Sequence, residues 1–179
     1  MGAFAKLGEQ EIATGFRFTV VRGRFRAPDG EEFERDVVHH PGAVAVVPLH
    51  DDGSVTLVRQ YRASLDHDLL EVPAGLRDVD GEPDELTAAR ELQEEAGLAA
   101  DRLERLVGFH NSPGFCDEHV TIFLATGLRS VPDDRQGTEE ELMTLERIPL
   151  AEAVAMVADG RITDAKTIIG LLLARDRDG

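Results

Sequence analysis

Residues 75–98 read GLRDVDGEPDELTAARELQEEAGL, a stretch that predicts one helix carrying three glutamates within five positions. Glu91 lies three residues before Glu94 and four before Glu95, so the three carboxylates are neighbours on a helix. Like charges at these spacings destabilise a helix by roughly a few tenths of a kcal/mol per pair. Arg90 can neutralise one carboxylate, and a bound divalent cation would compensate for the others.

Both ends of this predicted helix carry clear terminal signals. Pro83 suits the first helical turn, and Gly97 suits the left-handed residue just beyond the last turn. With about 100° between successive residues, small and apolar side chains form one stripe, made of Leu86, Ala89, Leu92 and Ala96. The glutamates project from nearly the opposite side, so we expect them to face away from the core.

Short apolar runs rich in β-branched residues surround the helix and predict strands. They lie at 43–49, 54–62, 69–75, 103–110, 120–128 and 142–150. Residues 150–159 and 163–175 predict two closing helices. Strands with a helix between them and helices at the end predict an α/β or α+β sandwich with a mixed sheet.

The first forty residues predict a β-hairpin. Residues 16–40 place two alternating stretches on either side of Pro28-Asp29-Gly30, which is a sequence typical of a hairpin turn. Many of its side chains are polar, so the hairpin has little core of its own and is expected to pack on something else, such as a second subunit. We therefore predict two domains, a dimerising hairpin at 1–40 and a larger domain at 41–179.

The composition limits the class of protein. The chain has 179 residues, 42% hydrophobic and 30% charged, which is typical of a globular protein. Its formal net charge of −16 argues against nucleic acid as a partner. The single cysteine, Cys116, allows no intrachain disulfide. No signal peptide or membrane span is recognisable, so a cytoplasmic protein without a membrane partner is expected.

The stretch 75–98 resembles the Nudix box, a pattern of glycine, glutamate and then Arg-Glu-aliphatic-x-Glu-Glu-x-Gly-aliphatic. The matching residues are Glu82, Arg90, Glu91, Leu92, Glu94, Glu95, Gly97 and Leu98. One departure is visible, because six residues rather than five separate Gly75 from Glu82. The resemblance implies a Nudix-type α/β/α sandwich, with a mixed central sheet, that hydrolyses a diphosphate.

The resemblance also implies a metal site. In this family, glutamates at the positions of Glu91 and Glu95 bind Mg²⁺ or Mn²⁺, Glu94 can share that role, and the backbone carbonyl of Ala74 completes the set. Carboxylates suit these hard cations, which neutralise a diphosphate and lower the pKa of a water molecule. Arg90 is then an orienting partner.

The loop SPGF, at 112–115, resembles the ADP-ribose pyrophosphatase branch of the family, because Pro113 lies sixteen residues after Gly97. A plain turn is the alternative interpretation of this loop. The branch implies diphosphate contacts from Arg35 and Arg62 and a ribose contact from Glu118. It also implies an aromatic residue that stacks on adenine, for which the candidates are Phe16, Phe18 and Phe25.

The general base of this branch is a glutamate on a loop well after the helix. The segment GTEEEL offers Glu139, Glu140 and Glu141, of which we favour Glu140 and then Glu139, with Glu94 as a further catalytic candidate. A solvated acidic loop is the alternative.

The predicted function is hydrolysis of ADP-ribose, a small nucleoside diphosphate derivative, to AMP and ribose 5-phosphate by a homodimer. Two alternatives stay open: hydrolysis of another nucleoside diphosphate derivative, such as a nucleotide sugar or dinucleotide, and a binding module without catalysis. Four histidines in or near strands show no metal-ligand spacing and are interpreted as surface or loop residues: His39, His40, His110 and His119.

Overall fold

The computed structural model describes residues 3–132 and 142–177, which form ten strands and three helices. The strands are β1 (Ala5–Thr14), β2 (Thr19–Arg26), β3 (Glu32–His39), β4 (Ala43–Pro48), β5 (Ser54–Arg62), β6 (His67–Glu71), β7 (Ala74–Leu76), β8 (Leu98–His110), β9 (His119–Ser130) and β10 (Thr144–Pro149). The helices are α1 (Asp84–Ala96), α2 (Leu150–Ala158) and α3 (Ala165–Arg175).

The chain divides into two compact units. The first unit joins Met1–Gly42 to Phe109–His119, and the second joins Ala43–Gly108 to Val120–Gly179. None of the helices in the described part of the chain has the length and apolar character needed to cross a membrane.

The first unit contains an antiparallel sheet in the order β1-β2-β3. Strands β2 and β3 form the predicted hairpin, with Phe25 stacked on Phe33 at a ring-centroid distance of 5.5 Å. Strand β1 was not predicted, because its sequence, AKLGEQEIAT, mixes polar and apolar residues and most of it is exposed. It pairs along β2 and forms an edge of the sheet.

The second unit contains a four-stranded sheet in the order β7-β4-β9-β8 and an antiparallel sheet in the order β10-β5-β6. The four-stranded sheet is mixed, as predicted, since β4 runs parallel to β9 and antiparallel to β7. Strand β4 is buried on both faces, which explains its continuous apolar run.

Helices cover both faces of this mixed sheet and give the predicted sandwich. One face packs against α1 in a core cluster made of Val44, Val46, Ala88, Leu92, Ala96, Leu98, Phe123 and Ala125. On the other face, α3 approaches β4 so closely that a Cβ on Gly170 would lie 2.8 Å from Val47 Cγ2. Because successive strand residues point to opposite faces, Val46 and Val47 serve different layers.

Helix α1 has the predicted ends but a different buried face. Gly97 takes the left-handed conformation with φ 61°, and its N–H caps the last turn. Leu86 is 59% exposed and Ala89 is also exposed, so the predicted stripe is wrong at these two positions. Ala88 is fully buried in their place. The helix is therefore rotated relative to the expected orientation.

Candidate functional site

The rotation of α1 turns two of its glutamates inward. Glu91 is 8% exposed and Glu95 is 4% exposed, so the expectation that the acids face away from the core is wrong. The helix lies against the short strand β7, where the Ala74 N–H donates a hydrogen bond of 2.9 Å to Glu95 Oε2. A buried carboxylate needs such a donor, and the strand backbone supplies one.

Gly75 makes room for the other buried carboxylate. A Cβ at this position would lie 2.0 Å from Glu91 Cδ, whereas non-bonded contacts of Cβ atoms are essentially never shorter than 3.0 Å. The strand itself cannot move away easily, because Val44 and Ala45 of β4 pair with Gly75 and Ala74. Backbone and carboxylate are therefore fitted to each other, and only glycine allows this approach.

Arg90 balances part of the negative charge. Its Nη1 donates to Glu91 Oε1 at 2.7 Å and to Glu94 Oε2 at 2.9 Å, so it serves two carboxylates rather than the one expected. Its Nη2 lies 3.6 Å from Glu82 Oε2 and 3.9 Å from Asp78 Oδ1. Burial alone would lower the pKa of Arg90, but the surrounding carboxylates raise it. This fits the orienting role that the resemblance implied.

The donor chemistry around Glu91 and Glu95 fits a hard divalent cation. In the part of the chain that the structure describes, no three acidic, histidine or cysteine side chains are grouped to hold a metal ion. The two carboxylates, and the Ala74 carbonyl that the resemblance adds to them, are oxygen donors only, and Mg²⁺ characteristically uses one or two protein carboxylates and keeps several waters. Because residue 75 is a glycine, no side chain there competes with the Glu91 carboxylate for its position.

Arg62, the predicted diphosphate contact in the second unit, is anchored by a residue that the sequence did not indicate. Its Nε and Nη2 donate to the two oxygens of Glu71 at 2.7 Å and 2.6 Å. Glu71 is fully buried. Burial alone would raise the pKa of Glu71, but hydrogen bonds from Arg62 and the charge of Lys166 lower it. Those hydrogen bonds also raise the pKa of Arg62.

The other predicted substrate contacts belong to the first unit. Arg35 lies over the ring of Phe33, 4.8 Å from its centroid, and donates to the Glu34 carbonyl at 2.7 Å. Phe18 is 45% exposed, which leaves ring surface for stacking. Phe16 is the most exposed of the three candidate rings, and Phe25 is committed to Phe33.

The SPGF loop is held by β3. Val38 N–H donates to the Phe115 carbonyl at 2.7 Å, and Asp117 N–H donates to the Val38 carbonyl at 3.1 Å. Glu118 accepts from Asn111 Nδ2 at 2.9 Å. Pro113 lies inside the turn that these contacts define, since Cys116 N–H donates to the Ser112 carbonyl at 2.9 Å. The loop therefore has a defined conformation.

The histidines are more organised than the sequence indicated. His39 Nδ1 lies 2.5 Å from Asp117 Oδ2, and its Nε2 lies 3.1 Å from Glu9 Oε2. His110 and His119 meet edge to face at 5.1 Å. The contacts of His39 join residues 78 and 30 positions apart in the chain, so no local pattern could have revealed them.

The candidate bases Glu139, Glu140 and Glu141 lie outside the residues that the structure describes. Their assignment stays a prediction from the sequence.

Comparisons with known proteins show the family of this chain. A family model described as the NUDIX domain matches residues 39–169. The chain is 44% identical over 169 residues to an ADP-ribose pyrophosphatase of Mycobacterium tuberculosis, covering 94% of this chain and 82% of the relative. It is 40% identical over 161 residues to an ADP-ribose pyrophosphatase of Bacillus subtilis, covering 90% and 86%.

A solved structure described as an ADP compounds hydrolase is also similar. It superposes with a TM-score of 0.84 at 26% sequence identity, covering 99% of this chain and 95% of that one. The likeness therefore extends over nearly the whole of both chains.

Proposed function

Since the chain belongs to the Nudix family, we propose that it hydrolyses the diphosphate of ADP-ribose to AMP and ribose 5-phosphate. The observation that carries this proposal is the pair of buried carboxylates, Glu91 and Glu95, fitted against Gly75 and Ala74. Burying a charged carboxylate is costly unless it is paired and hydrogen-bonded. Arg90 and the Ala74 N–H already pair with these two carboxylates, and a divalent cation would neutralise more of their charge.

Glu91, Glu95 and the Ala74 carbonyl would hold Mg²⁺ or Mn²⁺, with Glu94 as an additional ligand. When bound, such a cation neutralises charge on the diphosphate and makes a water molecule more acidic. Arg90 fixes the carboxylates of Glu91 and Glu94 through one nitrogen, which prepares them for this task. Preparing a site in advance lowers the cost of ordering it when substrate arrives.

The substrate assignment is supported by the names of the relatives and by the arginine of the second unit. Arg62 presents an anchored guanidinium, the group best suited to bind a diphosphate bidentately. Arg35 is proposed to contact the same diphosphate, Glu118 the terminal ribose, and Phe18 the adenine, with Pro113 shaping the loop. The water is deprotonated by Glu140, or otherwise by Glu139 or Glu94.

We further propose that residues 1–40 serve dimerisation and 41–179 carry the hydrolase, in a cytoplasmic homodimer. The match of the family model to 39–169 agrees with that division. The exposed apolar side chains of the first unit support an interface.

The test is release of AMP from ADP-ribose by the purified protein, with and without Mg²⁺, beside a nucleotide sugar and a dinucleotide. We expect metal-dependent cleavage that prefers ADP-ribose. Cleavage of another substrate alone would leave the hydrolase and reject ADP-ribose. No cleavage with Mg²⁺ or Mn²⁺ would favour a binding module.

The variant Glu95→Gln tests whether activity requires the negative charge of Glu95. Its amide oxygen can still accept from the Ala74 N–H, so the fold should persist while the charge is lost. We expect turnover to fall by about a hundredfold or more, because cation catalysis contributes several kcal/mol. The control is Glu85→Gln in the exposed first turn of α1, which should keep its activity.

A further inference from the structure

Arg62 belongs to a network of four charged side chains, together with Glu71, Lys166 and Asp164. Glu71 is fully buried and accepts from Arg62 through both carboxylate oxygens. Lys166, at the start of α3, binds the same Glu71 through Oε2. Its Nζ also lies 3.0 Å from Asp164 Oδ1. Two cations thus face two anions, and the network is neutral.

Lys166 is held in place by the beginning of its own helix. Asp164 caps α3 by accepting from the Thr167 N–H at 2.9 Å and its hydroxyl at 2.6 Å. Thr167 Oγ1 in turn accepts from the Val72 N–H at 2.9 Å, which ties α3 to the chain just after β6. The side chain of Lys166 is only 12% exposed. Hydrogen bonds therefore fix the backbone that carries Lys166, and its side chain is largely shielded from solvent.

The network decides which edge of Arg62 is available. Glu71 occupies Nε and Nη2, and neither of these bonds uses Nη1. The Arg62 side chain is 38% exposed, while that of Glu71 is 1% exposed. A guanidinium anchored along one edge keeps donors on the other, and anchoring lowers the entropy cost of binding an anion.

We propose that Lys166 is a positioning residue for diphosphate binding, which acts through Glu71 to hold the Arg62 guanidinium in its binding orientation. This inference rests on the proposed function, because it assumes that Arg62 contacts the diphosphate. Lys166 supplies the second positive charge that keeps the buried carboxylate fixed. Without it, Glu71 and Arg62 form an isolated pair that can shift toward solvent.

The first test is Lys166→Met, which removes the charge and keeps the length of the side chain. We expect KM for ADP-ribose to rise about tenfold while kcat changes less than about threefold, since couplings of this kind are commonly worth a factor of ten. Lys166→Arg restores the charge and should return KM to near the wild-type value. The control is Arg175→Met on the same helix, which breaks an exposed pair with Asp176 and should leave KM unchanged.

The second test asks whether Lys166 acts through Arg62. In an Arg62→Ala background, Lys166→Met should raise KM no further, because the group that it positions is gone. An undiminished effect in that background would overturn the proposal. If Lys166→Met does not fold, Lys166→Gln, which loses the charge but keeps a hydrogen-bond donor for Glu71, serves in its place, with the same expected rise in KM.

A third test separates this inference from the proposed function. The ¹H–¹⁵N resonance of Arg62 Nε reports its bond to Glu71 without any substrate, and Lys166→Met should shift or broaden it while Arg175→Met does not. An unchanged resonance in Lys166→Met rejects the positioning role. If the resonance changes but wild type does not cleave ADP-ribose, the positioning role stands and ADP-ribose is rejected as the substrate. The KM comparison is then made with the nucleoside diphosphate derivative that wild type does cleave.

Discussion

Gly75 is the residue on which the geometry of the acidic site depends most directly. The Glu91 carboxylate occupies the volume that any side chain at this position would need. Strand β7 is only three residues long and is paired to β4 on one side. A Cβ added at residue 75 would therefore displace either the backbone of β7 or the Glu91 carboxylate.

We therefore predict that Gly75→Ala displaces the Glu91 carboxylate and lowers kcat/KM for ADP-ribose by about tenfold or more, the scale that a misplaced catalytic group usually costs. Its affinity for Mn²⁺, measured by electron paramagnetic resonance, should fall together with activity.

The control is Gly160→Ala, where a Cβ meets no atom within 4 Å but φ is +81°. It should lose about 1 kcal/mol of stability through backbone strain and keep its metal affinity. If Gly75→Ala bound Mn²⁺ as wild type does, the close fit between Gly75 and Glu91 would have no functional consequence.

At this scale, the sequence identifies residues better than it identifies their environment. Glu91 and Glu95 follow from the motif, but their burial does not, because hydrophobic periodicity assigns acids to the solvent side. The signal that was available is Gly75 itself, since a glycine in the box can mark a close approach by another group. The Glu71–Lys166 contact joins residues 95 positions apart, and no local pattern encodes it.

At the scale of elements, the buried face of α1 carries both core side chains and the two buried glutamates of the site. Its ends were predicted correctly, since Pro83 and Gly97 act locally. The rotation of α1 about its axis was not predicted, because it depends on which of its side chains pack against the sheet and against β7. Ala88 and Leu92 pack in the core cluster, and the next ridge of the helix carries Glu91 and Glu95.

The helix packing gives a stability prediction. Leu92→Ala should lower the free energy of unfolding by about 2–5 kcal/mol, because Leu92 is fully buried against the sheet. Leu86→Ala, at a position that is 59% exposed, should change it by less than about 0.5 kcal/mol. Urea denaturation measures both. Equal effects of the two variants would contradict the rotation of α1 described above.

A second feature at the scale of elements is the link that His39 of β3 makes to Glu9 of β1 and to Asp117, two residues after the SPGF loop. Hydrogen bonds with Asp117 and then Glu9 raise the pKa of His39. Burial alone would raise the pKa of Asp117, but its hydrogen bonds with the His39 ring and the His40 N–H together lower it. The bond with Lys6, followed by that with His39, lowers the pKa of Glu9.

The sign of the pH dependence follows from these shifts. The stabilisation that protonated His39 gives to this link is complete below its ordinary pKa of about 6.5 and is lost as pH rises through its raised pKa. The stabilisation that ionised Asp117 and Glu9 give is complete above their ordinary pKa values of about 4 and is lost as pH falls through their lowered pKa values. The link is therefore strongest between about pH 5 and pH 6.5.

We predict that the hydrogen-exchange protection of the Asp117 amide, which donates to the Val38 carbonyl, falls between about pH 6.5 and pH 9. His39→Gln should abolish that fall. The control is His67→Gln in the second unit, whose ring contacts only the Leu65 carbonyl among the hydrogen bonds of the described residues. A fall that persisted in His39→Gln would assign the pH dependence to another group.

At the scale of the whole molecule, the family and the sandwich could be predicted because the box is local and strands and helices have distinct periods. The edge strand β1 could not, since a strand exposed along most of its length lacks alternation. The formal net charge of −16 agrees with a small-molecule substrate held by local positive charge, rather than with a polyanionic partner.

The exposed edge of the first unit's sheet predicts self-association. Strand β1 is an edge of its sheet, and exposed edges with apolar side chains favour association. Ile12 is 50% exposed and Phe16 is 92% exposed. We expect light scattering to give about twice the chain mass of 19.6 kDa. The double variant Ile12→Glu with Phe16→Glu should reduce it to one chain mass, whereas Leu65→Glu, at a 52% exposed position of the second unit, should not. A wild-type mass of one chain at micromolar concentration would reject the homodimer and require each chain to bind its substrate alone.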